Sequence, residues 1–168
     1  LKNYNENYSF PVVFTRASNI YGPGQRIYKI IPKTIISIKK NKKIPLHGKG
    51  LSKRSFIYSD DVSDAMLKVM KKSKNGEIYH VSNEKMYSIK EIVSMICKIM
   101  EKKFTDHVNI EDERPGKDFI YDLSGKKIKS LGWKSKTRIE KGILETKKWI
   151  DDNFISLKEV KLKYDHLK

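Results

Sequence analysis

A chain of 168 residues can build one domain with a real core, and its 38% apolar and 33% charged shares describe a globular, rather polar protein. No apolar run approaches the length that crosses a bilayer, so no membrane partner is expected. A net charge of +16 invites a nucleic-acid reading, yet only five of the 36 basic residues are arginine, and phosphate and base recognition lean on the forked guanidinium. The lysines are spread through helix ends and turns, as at Lys39-Lys40, Lys71-Lys72 and Lys126-Lys127. They read as a solvated surface and argue against a nucleic-acid partner. The single cysteine, Cys97, excludes an internal disulfide and points to a reducing, cytoplasmic compartment. Strand-like sequence begins almost at Leu1, which reads as a piece of something longer.

Pro11 to Thr15 is an apolar run bounded by turn residues and predicts a buried strand. Arg16 to Gln25 (R-A-S-N-I-Y-G-P-G-Q) is a polar turn leading to a helix from Ile30, with Ile31, Ile35, Ile36 and Ile38 at helical spacing. Pro32 falls in its first turn, where a missing N–H costs nothing. Ile44-Pro-Leu-His47 is a short extended piece, Gly48-Lys-Gly50 a turn, and Arg54 to Tyr58 a second strand. Ser59 or Asp60 is expected to cap the next helix. Its stripe is Val62, Ala65, Met66, Val69 and Met70, and Asn75-Gly76 ends it. Glu77 to Val81 is a further strand.

Ser88 and Glu91 form a capping box at the head of a helix whose apolar face is Ile89, Ile92, Val93, Ile96 and Met100. Cys97 shares that face, as a buried, inert thiol. Val108 to Ile110 is weakly strand-like. Ser124 is expected to cap a short helix closing at Gly132, with Trp133 packing behind it. Thr137 and Glu140 suggest a second capping box, ahead of a face made by Ile139, Ile143, Thr146 and Ile150. Residues 154–168 read as a polar tail. Strands alternating with helices predict an α/β fold with parallel pairing.

The four histidines are scattered, so no metal site is expected. The G-x-S-x-G elbow and the G-x-G-x-x-G fingerprint are both absent. No catalytic residue is assigned within the chain. Arg54, after a Gly turn, and Arg114, in an Arg-Pro-Gly turn, are candidates for gripping a diphosphate bidentately. Asn19 and Asn83 both follow short strands and could share the carboxyl edge of one sheet, where open α/β sheets bind ligands.

Seven short motifs occur in order: R-A-S-N-I-Y-G-P-G-Q, Y-K-I-I-P, I-P-L-H-G-K-G, R-S-F-I-Y-S-D-D-V, E-I-Y-H-V-S-N, E-R-P-G-K-D and S-L-G-W. Together they resemble the C-terminal half of extended short-chain dehydrogenase/reductases, the nucleotide-sugar 4,6-dehydratase/epimerase family, most nearly the dTDP-glucose 4,6-dehydratases. The resemblance implies the C-terminal part of a Rossmann-type NAD(P)-binding fold, with its small substrate-binding subdomain and without the N-terminal Rossmann strands. Residues 1–153 would be the substrate-binding portion. It further implies NAD as cofactor, held mostly by sequence outside this chain together with the catalytic Tyr-x-x-x-Lys pair. A nucleotide-sugar substrate and a homodimeric whole enzyme are implied as well.

Carried onto this sequence, Ala17 and Ser18 would lie near the nicotinamide. Asn19 would touch the diphosphate or hexose. Lys29 and Ile30 would line the nucleotide pocket, and Pro45 and His47 would border the base. Arg54 and Arg114 would hold the diphosphate, and Asn83 would approach the nucleotide. His47 stands where an aromatic Tyr is usual, which leaves the base open, and Lys117 stands where His is common. The implied reaction is internal redox: a hydride leaves carbon 4 of the hexose for NAD, water is eliminated across carbons 5 and 6, and the hydride returns to carbon 6. An epimerase of the same family, or a basic nucleic-acid-binding module, are the alternatives.

Overall fold

The first strand opens at Phe14, three residues into the apolar run that begins at Pro11, because its neighbour dictates where pairing starts. The Gly76 N–H donates to the Val12 carbonyl at 2.7 Å and the Phe14 N–H to the Glu77 carbonyl at 2.9 Å, so Val12 bonds the turn at residues 75–76, and the ladder begins after it. In the computed structural model, which describes residues 1–113, 115–116 and 118–162, the chain opens with α1 (Lys2–Tyr8), β1 (Phe14–Ala17) and β2 (Asn19–Tyr21). Then come α2 (Ile30–Lys39), β3 (Ile44–His47), β4 (Lys53–Tyr58), α3 (Ser59–Lys72), β5 (Ile78–Val81) and β6 (Met86–Ser88). It continues with α4 (Ile89–Ile99), α5 (Phe104–His107), β7 (Val108–Glu111) and β8 (Ile120–Tyr121), and ends with α6 (Lys126–Ser130), α7 (Ile139–Asp152) and α8 (Phe154–Leu157). Among the described residues no helix is long and apolar enough to cross a membrane.

Two units divide the chain. The first comprises Leu1–Ile20, Arg54–Met86 and Tyr121–Thr137; the second comprises Tyr21–Lys53, Tyr87–Ile120 and the chain from Arg138 onward.

In the first unit β1 and β5 pair in parallel, from Phe14 opposite Ile78 to Ala17 opposite Val81. Ile57, Val62, Ala65, Val69, Tyr79 and Val81 form the core, closed by Ile128 and Trp133. Two expectations for α3 fail here. Its N-cap is Tyr58, with no side-chain cap bond, so neither Ser59 nor Asp60 caps it. Met66 and Met70 are 44% and 75% exposed. Val62, Ala65 and Val69 already cover the core surface, and the two methionines sit on the flank that turns away from it. Asp61 does the anchoring instead. Its carboxylate, buried at the head of α3, accepts from Ser135 Oγ at 2.8 Å, the Thr137 N–H at 3.0 Å and the Lys136 N–H at 3.2 Å. Its carbonyl accepts from Trp133 Nε1 at 3.1 Å. α6 takes Gly125 as N-cap, and the Ser124 hydroxyl, one residue earlier than a cap position, accepts at 3.5 Å from the N–H of Lys126, which opens the helix.

In the second unit β3 and β7 pair in parallel, from Ile44 opposite Val108 to His47 opposite Glu111. The helices α2, α4 and α7 pack together through Ile31, Ile35, Ile92, Ile96, Ile143 and Ile150, each 0–1% exposed. The Ser88/Glu91 capping box forms in full: Ser88 Oγ accepts from the Glu91 N–H at 3.1 Å, and Glu91 Oε2 accepts from the Ser88 N–H at 2.7 Å. Cys97 is buried within α4, which pushes its thiol pKa up. The expected Thr137/Glu140 box does not form. Arg138 is the N-cap of α7, without a side-chain bond, and the Thr137 N–H is committed to Asp61.

Gly142 lets α7 approach the buried Tyr21. A Cβ there would lie 2.3 Å from Tyr21 Oη and 2.8 Å from its ring carbons. Tyr21 is 2% exposed and has nowhere to go. Gly142→Ala is therefore expected to destabilise the protein by about 1–2 kcal/mol, overpacking outweighing the better helix propensity of alanine. A urea unfolding midpoint no lower than that of the parent would show that Tyr21 shifts freely.

Candidate functional site

Because β1 and β5 are parallel and in register, the residues that follow them leave the sheet side by side at its carboxyl edge. Ser18-Asn19 exits after Ala17, Ser82-Asn83 exits after Val81, and the Ser18 N–H donates to the Val81 carbonyl at 3.0 Å. Asn19 and Asn83 are thus brought to one edge, as their positions after strands imply. Both are half-buried.

The group that organises this edge is Ser55 on β4, 0% exposed. Its hydroxyl donates to the Asn83 carbonyl at 2.9 Å and accepts from the Asn83 N–H at 3.2 Å. Ser82 Oγ donates to it at 3.2 Å and Ser18 Oγ lies 3.4 Å away. The Ser55 carbonyl in turn accepts from Asn19 Nδ2 at 3.1 Å. One residue therefore clamps the Asn83 backbone with its side chain and holds the Asn19 side chain with its backbone. Gly125 backs the same edge closely, since a Cβ there would come within 2.8 Å of the Ser82 carbonyl oxygen. Ser55 was not singled out in the sequence. The signal that pointed to this edge was an asparagine after each of two short strands, Asn19 and Asn83.

Arg54 precedes Ser55 on β4 and is half-buried. It belongs to the first unit with Ala17, Ser18, Asn19 and Asn83.

Lys29, Ile30, Pro45 and His47 belong to the second unit. Lys29 is the exposed N-cap of α2, its ammonium 5.5 Å from the centre of the Tyr28 ring, and Ile30 opens the helix. Pro45 and His47 are half-buried on β3. His47 Nδ1 lies 3.2 Å from Glu111 Oε2, its register partner on β7, and 3.3 Å from the Asp112 carbonyl oxygen. With two acceptors facing it, Nδ1 is placed to donate a hydrogen to them. The chain turns sharply after His47. Gly48 has φ +56°, and a Cβ there would lie 1.9 Å from Glu113 Oε2. Arg114 and Lys117, both noted in the sequence, lie outside the described residues.

Residues 1–83, which contain Asn19, Arg54 and Asn83, match the family described as "NAD dependent epimerase/dehydratase family". A dTDP-D-glucose 4,6-dehydratase of Homo sapiens is 39% identical over 165 residues, covering 95% of this chain and 47% of the human protein. The crystal structure of a dTDP-glucose 4,6-dehydratase from Streptomyces venezuelae, with NAD bound, superposes with a TM-score of 0.84 at 27% identity, over 90% of this chain and 47% of that one. A UDP-glucuronic acid 4-epimerase from Bacillus cereus, in complex with UDP-glucuronic acid and NAD, gives 0.82 at 25% identity, over 89% and 48%. The chain spans about half the length of the curated relatives it matches. The fold is α/β, of the Rossmann-type dehydratase kind. Nearly all of the chain is thus similar to about half of a dTDP-D-glucose 4,6-dehydratase, and its first 83 residues match the NAD dependent epimerase/dehydratase family.

Proposed function

We propose that this chain is the nucleotide-sugar-binding part of an NAD-dependent 4,6-dehydratase that takes dTDP-glucose to a 4-keto-6-deoxyglucose product. The observation that supports it most is the Ser55-organised edge, which presents Asn19 and Asn83 together at the carboxyl ends of parallel strands, where α/β sheets take ligands. In this reading Asn19 meets the diphosphate or hexose, Asn83 the nucleotide, and Arg54 and Arg114 the diphosphate. Lys29, Ile30, Pro45 and His47 serve the nucleotide. The acid–base residues come from the part of the enzyme outside this chain, and the whole enzyme works as a homodimer in a reducing, cytoplasmic compartment.

The strand-end residues fit a dinucleotide as a wall. The Ser18 N–H and hydroxyl are already turned to Val81 and Ser55. Ala17, small and half-buried at the end of β1, offers a surface against which a flat ring can lie. NAD, when bound, supplies a hydride acceptor that also returns the hydride. The work of this chain is to hold the nucleotide and diphosphate so that the hexose is fixed against it. Such fixing is where the rate gain of positioning comes from.

The test is the whole enzyme with dTDP-glucose. Loss of one water, read by mass spectrometry, is expected, and none is expected from this chain alone. A mass-neutral, inverted sugar would favour the epimerase reading, for which the epimerase superposition speaks. Arg54→Ala is expected to raise the KM for the nucleotide-sugar about tenfold, the loss of a single charged hydrogen bond. An unchanged KM would remove Arg54 from the diphosphate site.

A further inference from the structure

The outer side of α3 carries a surface that the rest of this chain leaves uncovered. Met66, Leu67 and Met70 are 44%, 52% and 75% exposed. Residues 66 and 70 lie one turn apart, with 67 beside them, so the three form one apolar ridge along the helix. Next around the helix come Lys68, Lys71 and Lys72, which with Trp133 and Lys134 line a groove of about 350 Å³. Lys136 lies along the same groove, its ammonium 2.7 Å from Asp64. Among the described residues, no carboxylate comes within ion-pairing distance of Lys68, Lys71, Lys72 or Lys134. Asp64 also lines the groove, its carboxyl pKa held low by Lys136 and drawn down by Lys68, so the lining sets five lysines against one carboxylate, and an anionic occupant offsets that surplus.

We propose that the ridge and the groove together dock an acidic polypeptide segment that carries apolar side chains. Its carboxylates enter the groove, and its apolar groups cover Met66, Leu67 and Met70. Unbranched methionine side chains suit such a surface because they adapt to the shape set against them. Three observations favour a polypeptide over other polyanions. The groove is concave, so a flat lipid surface would leave it empty. Trp133 is only 4% exposed and its N–H is held by the Asp61 carbonyl, so it offers no face for stacking a base. The cations are all lysine, without the forked guanidinium that suits phosphate. None of these residues belongs to the nucleotide-sugar site, so the two readings stand or fall separately.

The experiment titrates the full chain into a labelled peptide of Glu and Leu, with Glu along one helical face, and follows fluorescence anisotropy. Saturable binding is expected, weakened about tenfold or more by Lys68→Glu/Lys71→Glu through like-charge repulsion. Met70→Asp is expected to weaken it as well. Lys42→Glu/Lys43→Glu makes the same change in net charge elsewhere and is expected to leave binding as it was. Circular dichroism checks each variant, and Lys68→Gln/Lys71→Gln replaces the charge reversal if that protein fails to fold. Equal weakening by the Lys42/Lys43 pair would overturn the proposal in favour of bulk charge, and so would absence of binding. Tighter, groove-dependent binding of phosphatidylserine vesicles or of a single-stranded oligonucleotide would overturn it in favour of a membrane or a nucleic acid.

Discussion

Asp61→Ala is expected to lower the stability of the protein by about 2–4 kcal/mol, read as a fall in the urea midpoint at unchanged slope. The residue is 5% exposed, and its carboxylate takes three hydrogen bonds from Ser135, Lys136 and Thr137. Hydrogen bonds to a charged acceptor contribute about 1.5–3 kcal/mol each when their donors are otherwise left dry. These donors are half-buried or exposed, so water recovers part of the loss, which keeps the total below the sum. The Asp61 carbonyl, which receives the Trp133 N–H, survives the substitution, so Trp133 stays at the core. Asp61→Asn should fall between the two, because its amide nitrogen faces a donor where an oxygen faced one before. A midpoint for Asp61→Ala equal to that of the parent would show that Trp133 packing alone holds residues 133–137.

Ser55→Ala is expected to raise the nucleotide-sugar KM of the whole enzyme about thirtyfold, with a smaller change in kcat, equivalent to about 2 kcal/mol. The substitution strips the Asn83 N–H of its acceptor and the Asn83 carbonyl of its closest donor. It leaves the Asn19 bond to the residue 55 carbonyl in place. Loss at the Asn83 side alone is therefore the signature of a positioning role. Ser82→Ala removes only hydrogen bonds that Ser82 itself donates, and its effect should stay below about threefold, a fraction of one neutral hydrogen bond. If the two variants raise KM equally, the edge is held by the cluster as a whole and Ser55 has no special part.

Where the sequence carried a local rule it located structure well. Ser88 and Glu91 met as a capping box because both partners lie within one helical turn. The isoleucines of α2 and α7 reached the core because their spacing matches the helical repeat. Where a residue had a distant alternative, local rules failed. Thr137 was read as half of a capping box, but its N–H went to Asp61, 76 positions away. Met66 and Met70 fit the apolar stripe of α3, but the surface available to that helix ended at Val62, Ala65 and Val69. The site was half legible in the same way. Asn19 and Asn83 were visible as residues after strands, while Ser55, an ordinary serine in an alternating strand, was not.

By itself the sequence determined the α/β alternation, the helical faces and the ordered motifs that mark the family. All of these rest on spacings of a few residues, which local sterics and hydrogen bonding enforce. Only the tertiary structure decided which strands are neighbours, and with them the site. Phe14 meets Ile78 and Ser18-Asn19 comes beside Ser82-Asn83 across more than sixty positions of chain. No local preference specifies such a pairing, because it is set by burial of a shared core and by the register that a parallel ladder imposes.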